Sequence, residues 1–299
     1  AFNVPFGQYE WNVMSFGLKN APSEFQKIMN DIFNPYMDFI IVYIDDILVF
    51  SKTLESHFKH LHTFKQIIIQ NGLVISKPKI SLFQTNIRFL GHNISQGSIE
   101  PIQRVLEFAK KFPDVITDKK QLQRFLGSLN YISPFYKNLS RDLAPLYDRL
   151  KKDHKTPWTQ AHTDLVKLIK NRVQTLPCTS LANPNWLKIV ETDASNIGYG
   201  GILKQVNPHT KTECLIRFYS GKWTESQKKY ATVAHEMLTI VKCVLKFQDD
   251  LYNQKFIIRT DAQSVKFMFN KDFKHDASKL IFARWQAQLA PFDYEIQYK

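Results

Sequence analysis

Asp45 and Asp46 stand side by side in a stretch that is otherwise apolar, Phe39-Ile-Ile-Val-Tyr-Ile-Asp-Asp-Ile-Leu-Val-Phe50. Adjacent carboxylates repel each other unless a cation offsets them. Mg²⁺ held through one or two carboxylates plus substrate phosphates is the usual arrangement where phosphoryl groups are transferred. Three further acids form a second group: Asp193 and Asp261 each close an apolar run on a Thr-Asp step, and Glu236 sits in a helical pattern between them. Two strand-end aspartates and a helical glutamate make a cation-binding constellation. Each part also has a bland reading, since Asp favours turns, Thr-Asp starts turns and caps helices, and a helical Glu is ordinarily solvated. His57, His60 and His62, spaced by three and two, do not share one helix face, and no Cys lies near them. Zinc is not expected there, and they read as solvated helix residues.

The elements that must position these acids are legible from period and punctuation. Pro22 suits the first turn of a helix in which Phe25, Ile28, Met29, Ile32 and Phe33 form an apolar stripe. The run around Asp45 and Asp46 reads as a β-hairpin with the pair at or beside its tip. Leu54, Leu61, Phe64 and Ile68 indicate another helix, stopped by Asn71-Gly72, and Phe89-Leu-Gly-His92 reads as a strand and turn. Asp118 with Gln121 caps a helix carrying Leu122, Phe125, Leu126, Leu129 and Ile132, ended by Pro134. Further helices are expected over 143–150 and 165–173. Strands are expected over 187–193, after Gly198, over 216–220 and over 256–261. A helix over about 231–247 turns Ala234, Leu238, Val241 and Leu245 inward.

The 299 residues suit about two domains with a sizeable core. Lys plus Arg number 40 against 27 Asp plus Glu, a net charge of +13, which suits a polyanionic partner. Residues 93–182 carry 15 basic and 8 acidic side chains (+7), against +1 for residues 1–92 and +5 for residues 183–299. Cationic helices neutralise phosphates without reading sequence. The three cysteines are scattered, without CxxC spacing, which points to a reducing, intracellular setting. No apolar run reaches the ~20 residues of a membrane span, so no membrane partner is expected. The opening Ala-Phe-Asn-Val-Pro-Phe-Gly lacks the regions of a signal peptide and reads as a chain entered in mid-fold, not a secreted one.

The order Met14-Ser-Phe-Gly-Leu-Lys-Asn-Ala-Pro-Ser-Glu-Phe-Gln26, Tyr43-Ile-Asp-Asp46 and Phe89-Leu-Gly-His92 resembles the palm of reverse transcriptases. More narrowly it resembles those of Ty3-type retrotransposons and of plant pararetroviruses, the caulimovirus family. Phe125-Leu-Gly-Ser-Leu-Asn-Tyr131 followed by Trp158-Thr159 resembles the thumb and connection of that family. Thr192-Asp193-Ala-Ser, His235-Glu-Met-Leu and Thr260-Asp261-Ala resemble its ribonuclease H, with Arg284-Trp285 and Phe292-Asp-Tyr-Glu-Ile296 in the place of its closing elements.

The resemblance implies an α+β multidomain chain: a partial palm of a right-hand polymerase over 1–92, a helical thumb and connection over 93–182, and a C-terminal α/β ribonuclease H-like domain over 183–299. It implies that Asp45 and Asp46 bind metal for polymerisation and that Asp193, Glu236 and Asp261 do so for hydrolysis, with two Mg²⁺ or Mn²⁺ ions per active site. Phe16, Gly17 and Lys79 would contact the incoming deoxynucleoside triphosphate, and Phe89 to His92 would grip the primer. The implied partners are an RNA template, a DNA primer and an RNA–DNA hybrid, in the cytoplasm, a virus-like particle or the nucleus. Three departures stand out. Ser15 replaces a usual Pro, the family's first palm motif with its own Asp is missing before residue 1, and its fourth ribonuclease H carboxylate would lie beyond Lys299. The missing palm motif implies impaired polymerisation, while Ser15 is expected to loosen a turn rather than remove chemistry. A catalytically inactive nucleic-acid-binding relic or structural subunit, and a ribonuclease H acting alone, remain as alternatives.

Overall fold

The computed structural model describes residues 1–15, 17–151, 157–263 and 277–298. By compactness the chain divides once, into Ala1–Gln84 and Thr85–Lys299, so the segments expected at 93–182 and 183–299 lie in one unit.

In the first unit a short hairpin, β1 (Phe2–Val4) and β2 (Gly7–Tyr9), precedes α1 (Ala21–Phe33), which has Pro22 in its first turn as expected. The hairpin of β3 (Ile40–Tyr43) and β4 (Asp46–Val49) follows, and then α2 (Leu54–Gln70). Thr53 and Ser56 cap α2 reciprocally. Its end is closed by Asn71, whose side-chain amide donates to Ile67 O at 2.9 Å, and by Gly72 at φ +63°. Met29 and Phe33 of α1, Ile40 of β3, and Ile67 and Ile68 of α2 form the core. Ile28, expected on the inner stripe, is 52% exposed. The buried arc of α1 is narrower than the apolar one because a two-stranded hairpin and one helix cover only part of its surface. His57 and His60 depart from the solvated reading as well. Both are half-buried, and Ser51 Oγ bonds to their Nδ1 atoms at 3.0 and 2.7 Å.

The second unit opens with a meander of β5 (Asn86–Phe89), β6 (His92–Ser95) and β7 (Ser98–Pro101), turned at Leu90-Gly91 with φ of +47° and +80°. Its helices are α3 (Gln103–Lys110), α4 (Lys119–Leu129), α5 (Leu139–Asp142), α6 (Ala144–Asp148) and α7 (Gln160–Gln174). Asp118 accepts the Gln121 N–H at 2.7 Å, the expected cap of α4. That helix gives way at Leu129 to a 3₁₀ stretch, Asn130–Phe135, which contains Pro134, and the single helix expected over 143–150 is only the short α6. Phe125, Leu126, Leu129, Ile132, Val166, Ile169 and Val173 pack into one core. The two-residue β8 (Thr179–Ser180) then pairs with β7, returning the chain to the meander.

The remainder builds a five-stranded sheet from β9 (Lys188–Ala194), β10 (Gly198–Val206), β11 (Glu213–Lys222), β12 (Phe256–Thr260) and β13 (Tyr294–Tyr298). The spatial order is β11-β10-β9-β12-β13, antiparallel across β11, β10 and β9 and parallel across β9, β12 and β13. Between β11 and β12 lie α8 (Thr232–Lys246) and α9 (Gln248–Leu251), and α10 (Ala277–Leu289) precedes β13. Neighbouring glycines on opposite faces of β10 let both sides approach closely. A Cβ on Gly201 would lie 2.4 Å from Cys243 Sγ of α8, and one on Gly200 would lie 2.7 Å from Asn138 Oδ1. Among the described residues no helix is long and apolar enough to cross a membrane.

Candidate active sites

The first group of acids occupies the end of the β3–β4 hairpin, where Tyr43 pairs with Asp46 and leaves Ile44 and Asp45 as the turn. Asp45 and Asp46 are both exposed. Ile44 has φ +51°, a left-handed conformation that a β-branched residue adopts only under constraint. The constraint comes from α1: Gln26 Oε1 accepts the Ile44 N–H at 2.5 Å, and Gln26 Nε2 donates to Asn30 Oδ1 at 2.7 Å. Gln26 closed the quoted motif, yet nothing in its local sequence marks it as the clamp on a turn 18 residues away.

Gly17 is exposed at φ +86°, and open space surrounds the place where its Cβ would be, so backbone conformation rather than crowding calls for glycine. Lys79 ends an exposed 3₁₀ turn, Lys77–Lys79. Phe16 lies outside the described residues.

The second group is assembled by the five-stranded sheet. Asp193 is near the end of β9, Asp261 directly follows β12, and β9 and β12 are parallel neighbours. Both aspartates are exposed and line one cavity of about 200 Å³. Glu236, 6% exposed, comes from the first half of α8. The preceding residue fixes that turn: the His235 ring stacks on Trp223 at 4.8 Å, and its Nε2 lies 2.7 Å from Gln227 O.

Burial raises the Glu236 pKa to about 7, reinforced by the negative charges of Asp261 and Asp193 and opposed by a hydrogen bond from the Ala194 backbone. Among the described residues its Oε2 is buried without a hydrogen-bond partner. An orphaned carboxylate oxygen beside two more carboxylates is the chemistry a divalent cation satisfies, so the donor set fits such an ion. Among the described residues, no three His, Cys, Asp or Glu side chains already stand in a metal-holding arrangement.

Beside these acids lies a charged ring that the sequence did not announce. Arg259 of β12 contacts Glu191 at 3.2 Å and Glu213 at 2.5 Å, and Lys204 of β10 contacts the same two at 2.9 and 3.1 Å. The ring crosses β9, β10, β11 and β12. Arg259 holds the Glu213 carboxyl below the ordinary range. Glu191 and Asp193, and likewise Arg259 and Asp261, are two residues apart, so each aspartate of the site stands two positions along the chain from a member of the ring.

Comparison with known proteins matches residues 1–94 to the family described as reverse transcriptase (RNA-dependent DNA polymerase). It matches residues 158–258 to an RNase H-like domain found in reverse transcriptase. The first span contains Asp45 and Asp46, and the second contains Asp193 and Glu236. The chain is 39% identical over 300 residues to the enzymatic polyprotein of Cauliflower mosaic virus (strain Strasbourg), covering 100% of this chain and 44% of the relative. The corresponding polyprotein of Carnation etched ring virus is 37% identical, with 100% and 45% covered. The chain thus spans less than half the length of these relatives. Among solved structures, the foamy viral protease-reverse transcriptase in complex with RNA/DNA hybrid superposes with a TM-score of 0.80 at 21% identity, covering 97% of this chain and 39% of that one. The same foamy viral protein in complex with dsDNA also gives 0.80 at 21%, with 97% and 60% covered. At that identity the likeness establishes the fold.

Proposed function

The chain carries a reverse-transcriptase domain followed by a ribonuclease H-like domain, and from that premise we propose that it is the polymerase and ribonuclease H portion of a caulimovirus-like enzymatic polyprotein. The reading gives it RNA-directed DNA synthesis and hydrolysis of the RNA strand of the hybrid. The first unit supplies palm elements, the helices over 93–182 supply thumb and connection, and the five-stranded sheet supplies the nuclease.

The observation that carries the reading is the buried, unpartnered Glu236 Oε2 beside Asp193 and Asp261. Under it Asp193, Glu236 and Asp261 hold divalent cations at the nuclease site, and Asp45 and Asp46 hold them at the polymerase site. Bound there, Mg²⁺ or Mn²⁺, two per site, supplies Lewis-acid activation of the attacking oxygen and stabilises the leaving one. Gly17 and Lys79 face the incoming nucleotide in this reading, with Lys79 as a point charge for its phosphates. An intracellular setting accords with the polyprotein relatives.

A second reading, binding of a hybrid duplex without turnover, is favoured by the surplus of +7 over residues 93–182, which neutralises phosphates whether or not the acids turn over. One experiment separates the two: the chain is incubated with Mg²⁺ and a labelled RNA–DNA hybrid, and separately with a primed template and nucleotides. Hybrid cleavage abolished by Asp193→Asn, and primer extension abolished by Asp46→Asn, support the enzyme. Binding with no turnover supports the second reading. Cleavage unchanged by Asp193→Asn overturns the site.

A further inference from the structure

The cavity that holds Asp193 and Asp261 has a wall that the sheet does not make. Lys137 and Asn138, from the link between the 3₁₀ stretch and α5, line it together with residues of β9, β10 and β12. Their position is built in. Asn138 adopts a left-handed conformation (φ +62°), which reverses the chain, and its side chain lies over Gly200, the residue paired with Asp193. Just beyond, the Ser140 N–H donates to Ser220 Oγ at 3.0 Å and Ser140 Oγ donates to Ser220 O at 2.7 Å. Lys222 Nζ donates to Ala144 O at 3.0 Å. The turn is therefore bolted to β11 on its far side and rests against β10 beneath.

The charges in this cleft are unevenly committed. Arg259 is engaged by Glu191 and Glu213. Asp193 and Asp261 are anionic and would repel a phosphodiester. Lys137 is exposed and makes no hydrogen bond or ion pair among the described residues. It also borders a second hollow of about 430 Å³, lined by Arg141, Arg172 and Leu176, which shares Lys137, Asn138 and Phe218 with the first. Arg141 and Arg172 there are drawn to Asp142, at 3.6 and 2.5 Å. A groove thus leads away from the carboxylates with one uncommitted cation, among the described residues, at the junction of its two hollows.

We infer that the Lys137–Asn138 turn is the second wall of the nuclease cleft and that Lys137 takes a phosphodiester of the strand lying in it. The inference rests on the nuclease reading and extends it: the helical segment contributes a residue to the hydrolytic site itself. A lysine at this place offsets the repulsion between strand and acids without reading base identity, as a nuclease acting along any hybrid requires.

The test is binding of a fluorescently labelled RNA–DNA hybrid to the full chain in EDTA, where nothing is cleaved, over a range of salt. Lys137→Gln should weaken binding several-fold and lower the slope of log affinity against log salt by about 0.9, one phosphate contact. Lys137→Arg should restore most of both. Lys211→Gln, in the β10–β11 connection at the end of those strands away from Gly200, should leave the slope unchanged. In Mg²⁺, Lys137→Gln should raise KM for hybrid cleavage with kcat little altered. An unchanged slope in Lys137→Gln, or an equal fall in Lys211→Gln, overturns the inference while leaving the nuclease reading intact. Cleavage indifferent to Asp193→Asn overturns that reading, and no hybrid binding by the unaltered chain overturns both.

Discussion

The side-chain oxygen of Gln26, on α1, accepts the backbone N–H of Ile44 at 2.5 Å, and so a helix holds the turn that presents Asp45 and Asp46. Ile44 sits at φ +51°, a strained conformation for a β-branched residue that this bond helps to enforce. Gln26→Ala should cost about 1 kcal/mol at the turn and raise amide exchange at Ile44 roughly fivefold. Ile44→Gly should relieve strain of about 1 kcal/mol and blunt the effect of losing Gln26. Hydrogen exchange on the full chain reads both, because it reports the turn without requiring two-state unfolding of a two-unit protein.

Glu236 makes stability depend on pH with a definite sign. Its folded pKa of about 7 exceeds the ordinary 4.5, so between those values the folded chain binds more protons than the unfolded one. Stability from this group is fully present below about pH 4.5 and is lost as pH rises through about 7. In EDTA the ionised carboxylate, with its Oε2 unpartnered among the described residues, then costs roughly 3 kcal/mol. The melting temperature of the unaltered chain should fall from pH 5 to pH 8, and Glu236→Gln should flatten that fall. Mg²⁺ at pH 8 should raise the melting temperature of the unaltered chain more than that of Glu236→Gln, since an ion that binds the native carboxylates stabilises the folded state.

Gly201 lets α8, and with it Glu236, settle against the sheet. A methyl group there would meet Cys243 Sγ at 2.4 Å and Cys243 Cβ at 3.1 Å, with Phe247 behind at 3.6 Å. Gly201→Ala should destabilise by about 2–3 kcal/mol through overpacking. Cys243→Ala removes the nearer obstacle, so the double variant should lose less than the sum of its parts in thermal unfolding. A strictly additive result would show that the helix shifts as a body instead.

Arg259 faces two carboxylates, Glu191 and Glu213, that Lys204 shares. Arg259→Gln removes one of the cations that compensate the mostly buried Glu191. The expected cost lies between the ~1 kcal/mol of an exposed pair and the ~3 kcal/mol of a buried one. Adding Glu213→Gln should recover part of it, because the ring then returns to balanced charge. Denaturant midpoints of the unaltered chain, Arg259→Gln and the double variant decide this.

Local chemistry determined a good deal of this protein from sequence alone. Asp118 caps α4, Asn71-Gly72 stops α2, and the acidic pair lies at a hairpin tip, because caps, turns and hydrophobic period act over a few residues. That Asp193 and Asp261 stand at the ends of strands and Glu236 in a helix was legible from the apolar periods around them. Which face each side chain takes was not. Ile28 fits the apolar stripe yet is exposed, and His57 and His60 are half-buried, with Ser51 Oγ at their Nδ1 atoms.

What tertiary structure decided joins residues far apart in the chain: Gln26 to Ile44, Ser140 to Ser220, and Arg259 to Glu191 and Glu213. Strand register and the small residues that permit close approach brought these groups together. No local preference encodes such partners, since the energy of each contact exists only after the two elements have packed. Asp193 and Asp261 therefore share a cavity because β9 and β12 are parallel neighbours, and Lys137 joins them there because Gly200 leaves room for Asn138.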